Sequence, residues 1–359
     1  CLGIVLFLFC SCNRKQKIVD LESNLNVLQE ISLSKIPSES IESVQTETSN
    51  YIIQQLDNTK GLSNSSVNAI FQDSENLLWI GTWDGLNRYD GNIFTIFRPE
   101  ADNKNGISNH VILKIEEDNT GALWVLTMHG INRYNKKTNK FQQFFFSREN
   151  IPPLTESEFN MTVDTANQVF CAVKDWGIGY FNDGEFQLLE SGDLPKAAVK
   201  KMQFTLAGDL LILFENNILY SLHFADDGSE GKTISDYKLI SENVRDFGTF
   251  SNSKTCVISV SGDVKILSSL NHKSQTLYEK DINSFVGYTS EGLVLSNKSE
   301  YFILDSLGAR VNSSWLKYLE NQKITTLFQG SENVIWTGTD GDGLFEMYPI
   351  QKSFNPITK

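Results

Sequence analysis

The chain repeats itself. Residues 61–90 read GLSNSSVNAIFQDSENLLWIGTWDGLNRYD, and residues 106–135 read GISNHVILKIEEDNTGALWVLTMHGINRYN. Gly61, Trp79, Gly85 and Arg88 recur as Gly106, Trp124, Gly130 and Arg133, each 45 residues later. A third copy, ITTLFQGSENVIWTGTDGDGLFEMY, occupies residues 324–348. Inside each copy, apolar runs of strand length alternate with turn residues. A period of about 40–50 residues built from several short strands is the sequence form of β-propeller blades. The repeat therefore predicts an all-β chain before any residue has a chemical role.

Each clear copy divides into an innermost strand, a polar turn, a Trp-bearing second strand, a tight Gly turn, a return strand and an outer strand. Residues 151–320 keep this rhythm and lose the wording, giving four weaker units. The expectation is a seven-bladed β-propeller over residues 51–359, with four antiparallel strands per blade and about 44 residues in each. The last blade needs an outer strand, and two segments could supply it, Tyr51–Leu56 or Ser353–Ile357. With the first, both ends of the propeller lock one blade and no edge stays open.

Residues 1–12, CLGIVLFLFCSC, are apolar and too few to span a bilayer. They suit the apolar part of a signal peptide. The ending Phe9-Cys10-Ser11-Cys12 resembles a bacterial lipobox, with Cys12 as the lipidated residue and Phe9 where leucine is usual. A plain cleaved signal or a membrane anchor is the other reading. Residues 13–50 hold no aromatic side chain and are rich in Ser, Glu and Gln, so they read as a flexible linker. Ile18, Leu21, Leu25, Leu28 and Ile31 fall at helical spacing, which allows one short amphipathic helix and a pairing surface for a homodimer. Contact with a membrane is expected only through the N-terminal anchor.

The net charge of −13 repels phosphate backbones and speaks against nucleic-acid binding. Beyond the signal the cysteines are Cys171 and Cys256, each inside a strand-like run, and both read as small buried apolar groups. The four histidines, His110, His129, His223 and His272, sit in no HExxH frame, and no GxSxG nucleophile motif accompanies them. Thr339-Asp340-Gly341-Asp342-Gly343 lacks the distal Glu of a calcium loop and is ordinary turn chemistry. No catalytic residue, metal or cofactor is expected.

The wording GLS-N-x-V-x-x-I-x-x-D followed by LWIGT-x-x-GLNRYD resembles the two-component regulator propeller repeat. Residues 61–90 match it closely, 106–135 well and 324–348 clearly; residues 151–320 match only in strand rhythm. The resemblance implies the periplasmic sensor half of a hybrid histidine-kinase regulator in a Gram-negative bacterium. Such sensors commonly carry two seven-bladed propellers, an immunoglobulin-like domain, a membrane helix and a kinase. It also implies an oligosaccharide ligand and a histidine kinase in the same parent chain or a partner chain. This sequence carries one propeller and no kinase motif. The absent initiator Met is what a fragment of a longer sensor would show.

Trp79, Trp124 and Trp336 recur at one mid-strand position, where a large ring fills the space between blades. Asn87, Arg88 and Tyr89, with their copies Asn132, Arg133 and Tyr134, are expected to brace turns. The turns between second and third strands differ from copy to copy while the flanking strands repeat. Varied loops on a repeated scaffold are where binding concentrates. The ligand-binding candidates are Trp83, Asp84, Met128, His129, Asp175, Trp176, Asp340 and Asp342. Trp83 and Trp176 would stack on a sugar face, and the aspartates would accept hydrogen bonds from hydroxyls. The leading expectation is a periplasmic ligand-sensing propeller that binds an oligosaccharide and signals to a histidine kinase. The alternative is a stand-alone periplasmic lipoprotein that binds glycan or scaffolds other proteins. An enzyme, such as a propeller-type lyase or glycosidase, comes third.

Overall fold

β-Branched and aromatic residues gather in short runs between Gly, Asn and Asp, and each run becomes a strand. The computed structural model describes residues 51–146, 158–182, 184–226, 231–250, 254–267, 274–276 and 281–350. Among these residues there are 28 strands, and the only helices are three short 3-10 turns. The signal segment, the linker, Cys12, the Ile18–Ile31 stripe and Ser353–Ile357 lie outside the described residues.

β1 (Tyr51–Leu56) comes first. The first sheet follows as β2 (Val67–Gln72), β3 (Leu78–Thr82), β4 (Gly85–Tyr89) and β5 (Phe94–Phe97). The second sheet is β6 (Ile112–Glu117), β7 (Leu123–Thr127), β8 (Gly130–Asn135) and β9 (Lys140–Phe144). The third is β10 (Phe159–Val163), β11 (Val169–Val173), β12 (Gly177–Asn182) and β13 (Glu185–Leu188). The fourth is β14 (Val199–Phe204), β15 (Leu210–Phe214), β16 (Leu219–Asp226) and β17 (Lys232–Ser241). The fifth is β18 (Val244–Thr249), β19 (Thr255–Ser259), β20 (Val264–Leu267) and β21 (Ser274–Thr276). The remaining strands are β22 (Ser284–Thr289), β23 (Gly292–Ser296), β24 (Tyr301–Leu304), β25 (Arg310–Val311), β26 (Ile324–Gln329), β27 (Ile335–Thr339) and β28 (Leu344–Pro349).

The first five sheets are four-stranded, with neighbours in chain order. The last is eight-stranded, in the order β1-β28-β27-β26-β22-β23-β24-β25. The sheet order thus separates six sheets where the spacing predicts seven units. The cause is one parallel bridge between Gly287 of β22 and Leu327 of β26. A Cβ on Gly287 would stand 2.7 Å from the Leu327 carbonyl oxygen, so only glycine permits the approach. On the far side of this sheet β1 pairs with β28 in full register, from Tyr51 opposite Pro349 to Leu56 opposite Leu344.

Second strands β3, β7, β11, β15, β23 and β27 are buried at every position. A strand covered on both faces reads as a continuous apolar run, which is what LWIGT, LWVLT and LLILF are. Apolar clusters lie between consecutive sheets. Trp79, Leu86 and Ala69 of the first sheet meet Leu123, Val125 and Tyr134 of the second. One cluster joins the end of the chain to its start, placing Trp336 and Leu344 with Val67, Ile80 and Tyr89.

Trp79 is fully buried, and its Nε1 donates to Asp73 Oδ2 at 2.8 Å. Asp73 Oδ1 accepts from the backbone of Glu75 and Leu77 and so closes the turn. Trp124 and Asp118 repeat the arrangement at the same 2.8 Å. The mid-strand Trp residues are core, as their repeat position predicts. Cys171 and Cys256 are buried free thiols. Burial pushes the Cys256 thiol up to about 12 and Cys171 higher still, which leaves both unreactive.

Candidate functional site

The turns after the second strands share one construction. The residue following each strand donates its N–H to the carbonyl of the residue just before the innermost strand. These bonds are Trp83 to Ser66 at 3.2 Å, Met128 to Val111 at 3.1 Å, Lys174 to Glu158 at 2.7 Å and Asp340 to Lys323 at 2.9 Å. Thr82 braces the first turn, donating to the Gly85 carbonyl and accepting from the Asp84 N–H, both at 3.0 Å. Thr339 does the same for the last turn through the Gly343 carbonyl at 2.8 Å. The backbone is thereby fixed, and the paired positions differ only in side chain. Asn87, fully buried, holds the approach to the first turn by accepting from the Ser63 N–H and donating to Ser63 Oγ. Asn132 holds Ser108 in the same way.

The first and last turns come together. The Trp83 backbone binds Ser66, and Ser66 Oγ donates to Asp340 Oδ1 at 3.0 Å. Lys323 Nζ lies 2.6 Å from Asp340 Oδ2 and is largely exposed. The hydrogen bond from Lys323, then that from Ser66, holds the Asp340 carboxyl below its ordinary value; the same contact raises the Lys323 ammonium. Trp83 is 50% exposed, an unusual position for so large an apolar residue. Next to it, Asp84 pairs with Arg98 at 2.9 Å and lies 3.6 Å from His110 Nδ1. Asp342 contributes its carbonyl, which accepts from Gln55 Nε2 of β1 at 2.8 Å. The first turn, which bears the exposed Trp83, is thus joined through Ser66 to a carboxylate and an ammonium of the last.

The other candidates stand apart from this group. Met128 is half-buried and His129 exposed on the second sheet's turn. Asp175 is exposed with left-handed backbone, and its N–H binds the Lys196 carbonyl at 2.6 Å. Trp176 is half-buried and turns edge-on to Phe146, with ring centroids 5.8 Å apart. It packs in the junction between the second and third sheets. Sequence reasoning misses Ser66, Lys323, Arg98 and His110 as members of the site. A signal for two of them is present: Ser66, Val111 and Lys323 fill the same repeat position with three different chemistries.

The description "Two component regulator propeller" matches residues 61–84. "Histidine kinase P4" of Formosa agariphila is 45% identical over 56 residues, which cover 16% of this chain and 4% of that protein. An extracellular domain described as that of a hybrid two component system from B. thetaiotaomicron superposes with a TM-score of 0.63 at 22% identity. The match covers 83% of this chain and 42% of that one, so the chain spans less than half the length of that extracellular domain. Virginiamycin B lyase from Staphylococcus aureus superposes with a TM-score of 0.59 at 11% identity, over 83% of this chain and 99% of the lyase. Likeness at these identities shows a shared fold and leaves the chemistry open. Among the described residues no helix is long and apolar enough to cross a membrane. The repeat at residues 61–84 thus matches the two component regulator propeller model, and the chain shares its fold with the extracellular domain of a two-component system.

Proposed function

We propose that this chain is the ligand-sensing propeller of a two-component signalling system, binding an oligosaccharide and passing the signal to a histidine kinase. Its 51–359 region is a closed ring of seven blades, with the two halves of the eight-stranded sheet as the sixth and seventh. The apolar cluster that sets Trp336 against Tyr89 supports closure. The ring lies in the periplasm, held to the membrane through the N-terminal segment with Cys12 as the lipid attachment point. Binding, with no bond-making, is the work of the site.

One observation supports the glycan reading. Trp83 is half-exposed on a turn whose backbone binds Ser66, and Ser66 in turn holds Asp340 and, through it, Lys323; a sugar ring needs an apolar face to stack on and polar groups for its hydroxyls. Tryptophan fluorescence titration against a panel of plant and host oligosaccharides tests it. The expected result is saturable quenching or a blue shift with one sugar class, lost in Trp83→Ala and weakened in Asp340→Asn, with both variants melting like wild type. If no sugar perturbs the emission, or if Trp83→Ala binds unchanged, the face serves a different ligand.

A further inference from the structure

A cavity of about 470 Å³ lies beside the Tyr51–Pro349 end of the β1–β28 pair. Tyr51 of β1, Pro349 of β28, Glu291 of the β22–β23 turn, and Asn312, Ser313 and Ser314 after β25 line it. β1 runs six residues from here to Leu56, which lies opposite Leu344. The cavity is therefore at the strand ends away from the turns of Trp83 and Asp340.

Glu291 sets this cavity apart. Its Oε2 is buried and accepts no hydrogen bond. A carboxylate oxygen can only accept, and one buried without a donor is costly. Folded proteins rarely keep such a group unless water, an ion or a ligand serves it. The torsion of the last Glu291 side-chain bond is soft, so either oxygen can turn to the cavity. Among the described residues that line the cavity, Glu291 alone is charged. Ser313, Ser314 and Asn312 add acceptor oxygens, and Tyr51 adds an aromatic ring. Burial first, and the Glu291 charge second, raise the Tyr51 phenol above its ordinary value, which keeps it a neutral hydroxyl near the carboxylate. One negative charge, several acceptors and an aromatic ring are the complement of an ammonium group, a cation that carries donors only.

We propose that this cavity is a binding site for a small organic ammonium ion, a primary amine on a short alkyl chain. Its N–H groups donate to the Glu291 carboxylate and to the oxygens of Ser313 and Ser314. Its methylene groups lie along Tyr51 and Pro349. The occupant touches β1 and β28 together and ties one to the other. The site is separate from the Trp83 turn, and no sugar enters its test.

The probe is n-butylammonium chloride, followed by thermal melting and amide exchange of the full chain. The expected result is a saturable rise in Tm that neither n-butanol nor an equal concentration of sodium chloride reproduces. Glu291→Gln, which keeps the size and removes the charge, should weaken binding by about tenfold or more. Ser313→Ala with Ser314→Ala leaves the carboxylate in place and should weaken it about threefold. Glu190→Gln, at an exposed acid beyond the third sheet, should leave it unchanged. Amide exchange should slow in β1 and β28 and stay as it was in β5. An equal rise with n-butanol, or equal binding by Glu291→Gln, overturns the proposal. Slowed exchange confined to other strands overturns it as well, since the amine then sits elsewhere. Absence of any saturable shift assigns the Glu291 oxygen to ordered water and overturns it outright. Binding by Lys352→Ala and not by wild type would make the chain's own Lys352, three residues past Pro349, the occupant and overturn it too.

Discussion

Trp336 sets its ring edge-on to Tyr89 at 6.3 Å and 77°, although 247 residues of sequence separate them. The same step takes Trp79 to Tyr134 at 5.5 Å and Trp124 to Phe181 at 4.5 Å. In each case the second-strand Trp of one unit meets the third-strand aromatic of the next. The last unit finds its successor in the first. Each ring is a joint between sheets, and the energetics of the fold rest on these joints.

Trp79→Ala should cost about 3–5 kcal/mol, because it empties a large buried site and frees Asp73. Asp73→Ala should cost about 2–3 kcal/mol. It strands the Trp79 indole N–H and two turn N–H groups, and it removes one partner of Lys136 at 2.8 Å. Urea unfolding of both variants measures this. A Trp79→Ala protein as stable as wild type would show that the joint is not packed as described.

The two turn tryptophans should separate cleanly. Trp83→Ala should change stability by less than about 0.5 kcal/mol, as an exposed side chain does. Trp176→Ala should cost about 1–3 kcal/mol, since its ring packs on Phe146. Thermal melts of the pair decide it, and the reverse order of Tm values would contradict the placement.

Glu346 gives the fold a dependence on pH. It occupies the place across from Trp336 that Arg88 and Arg133 hold across from Trp79 and Trp124. It is 3% exposed, and burial raises its carboxyl above the ordinary value; the Tyr348 hydroxyl that donates to it pulls the other way. Tyr89 and Glu332 are the other titratable groups of this neighbourhood. A raised carboxyl means the folded state holds its proton more tightly than the unfolded one. The stabilisation is complete below the unfolded value of about 4.3 and is lost as pH rises through the folded value. Glu346→Gln should flatten the Tm profile over that window and melt higher than wild type at neutral pH. An unchanged profile would mean the carboxyl ionises without penalty.

Gly287→Ala should destabilise by about 1–3 kcal/mol, because the added methyl meets the Leu327 carbonyl. Amide exchange should rise in β22 and β26 together. Faster exchange confined to β22 would show that the bridge does not join the two halves.

Much of the fold is legible in the sequence, and the reason is periodicity. Trp79, Trp124 and Trp336 announce their burial by recurring, since packing between like sheets repeats like residues. β1 is one of two possible partners for β28, and spacing alone does not choose between them. Periodicity is silent where units differ. The ten-residue β17 lies in the stretch whose wording has drifted, whereas the outer strands after the two clearest copies have four and five residues. Trp83 and Trp176 look alike as turn tryptophans, yet one faces solvent and the other leans on Phe146. Arg98 and His110 join Asp84 from segments 14 and 26 residues away, which no local pattern specifies.

The pairing of β1 with β28 has a mechanical side. Tyr51 lies opposite Pro349, so the chain enters and leaves the propeller at the same end of one strand pair. A pull between the chain before Tyr51 and the chain after Pro349 does not shear six rungs at once. It loads the Tyr51–Pro349 rung alone, then the next, like a zip opened from its tab. Tension between the two attachments is thus met by the weakest geometry a sheet offers, and the rest of the molecule stays unstrained while that seam peels.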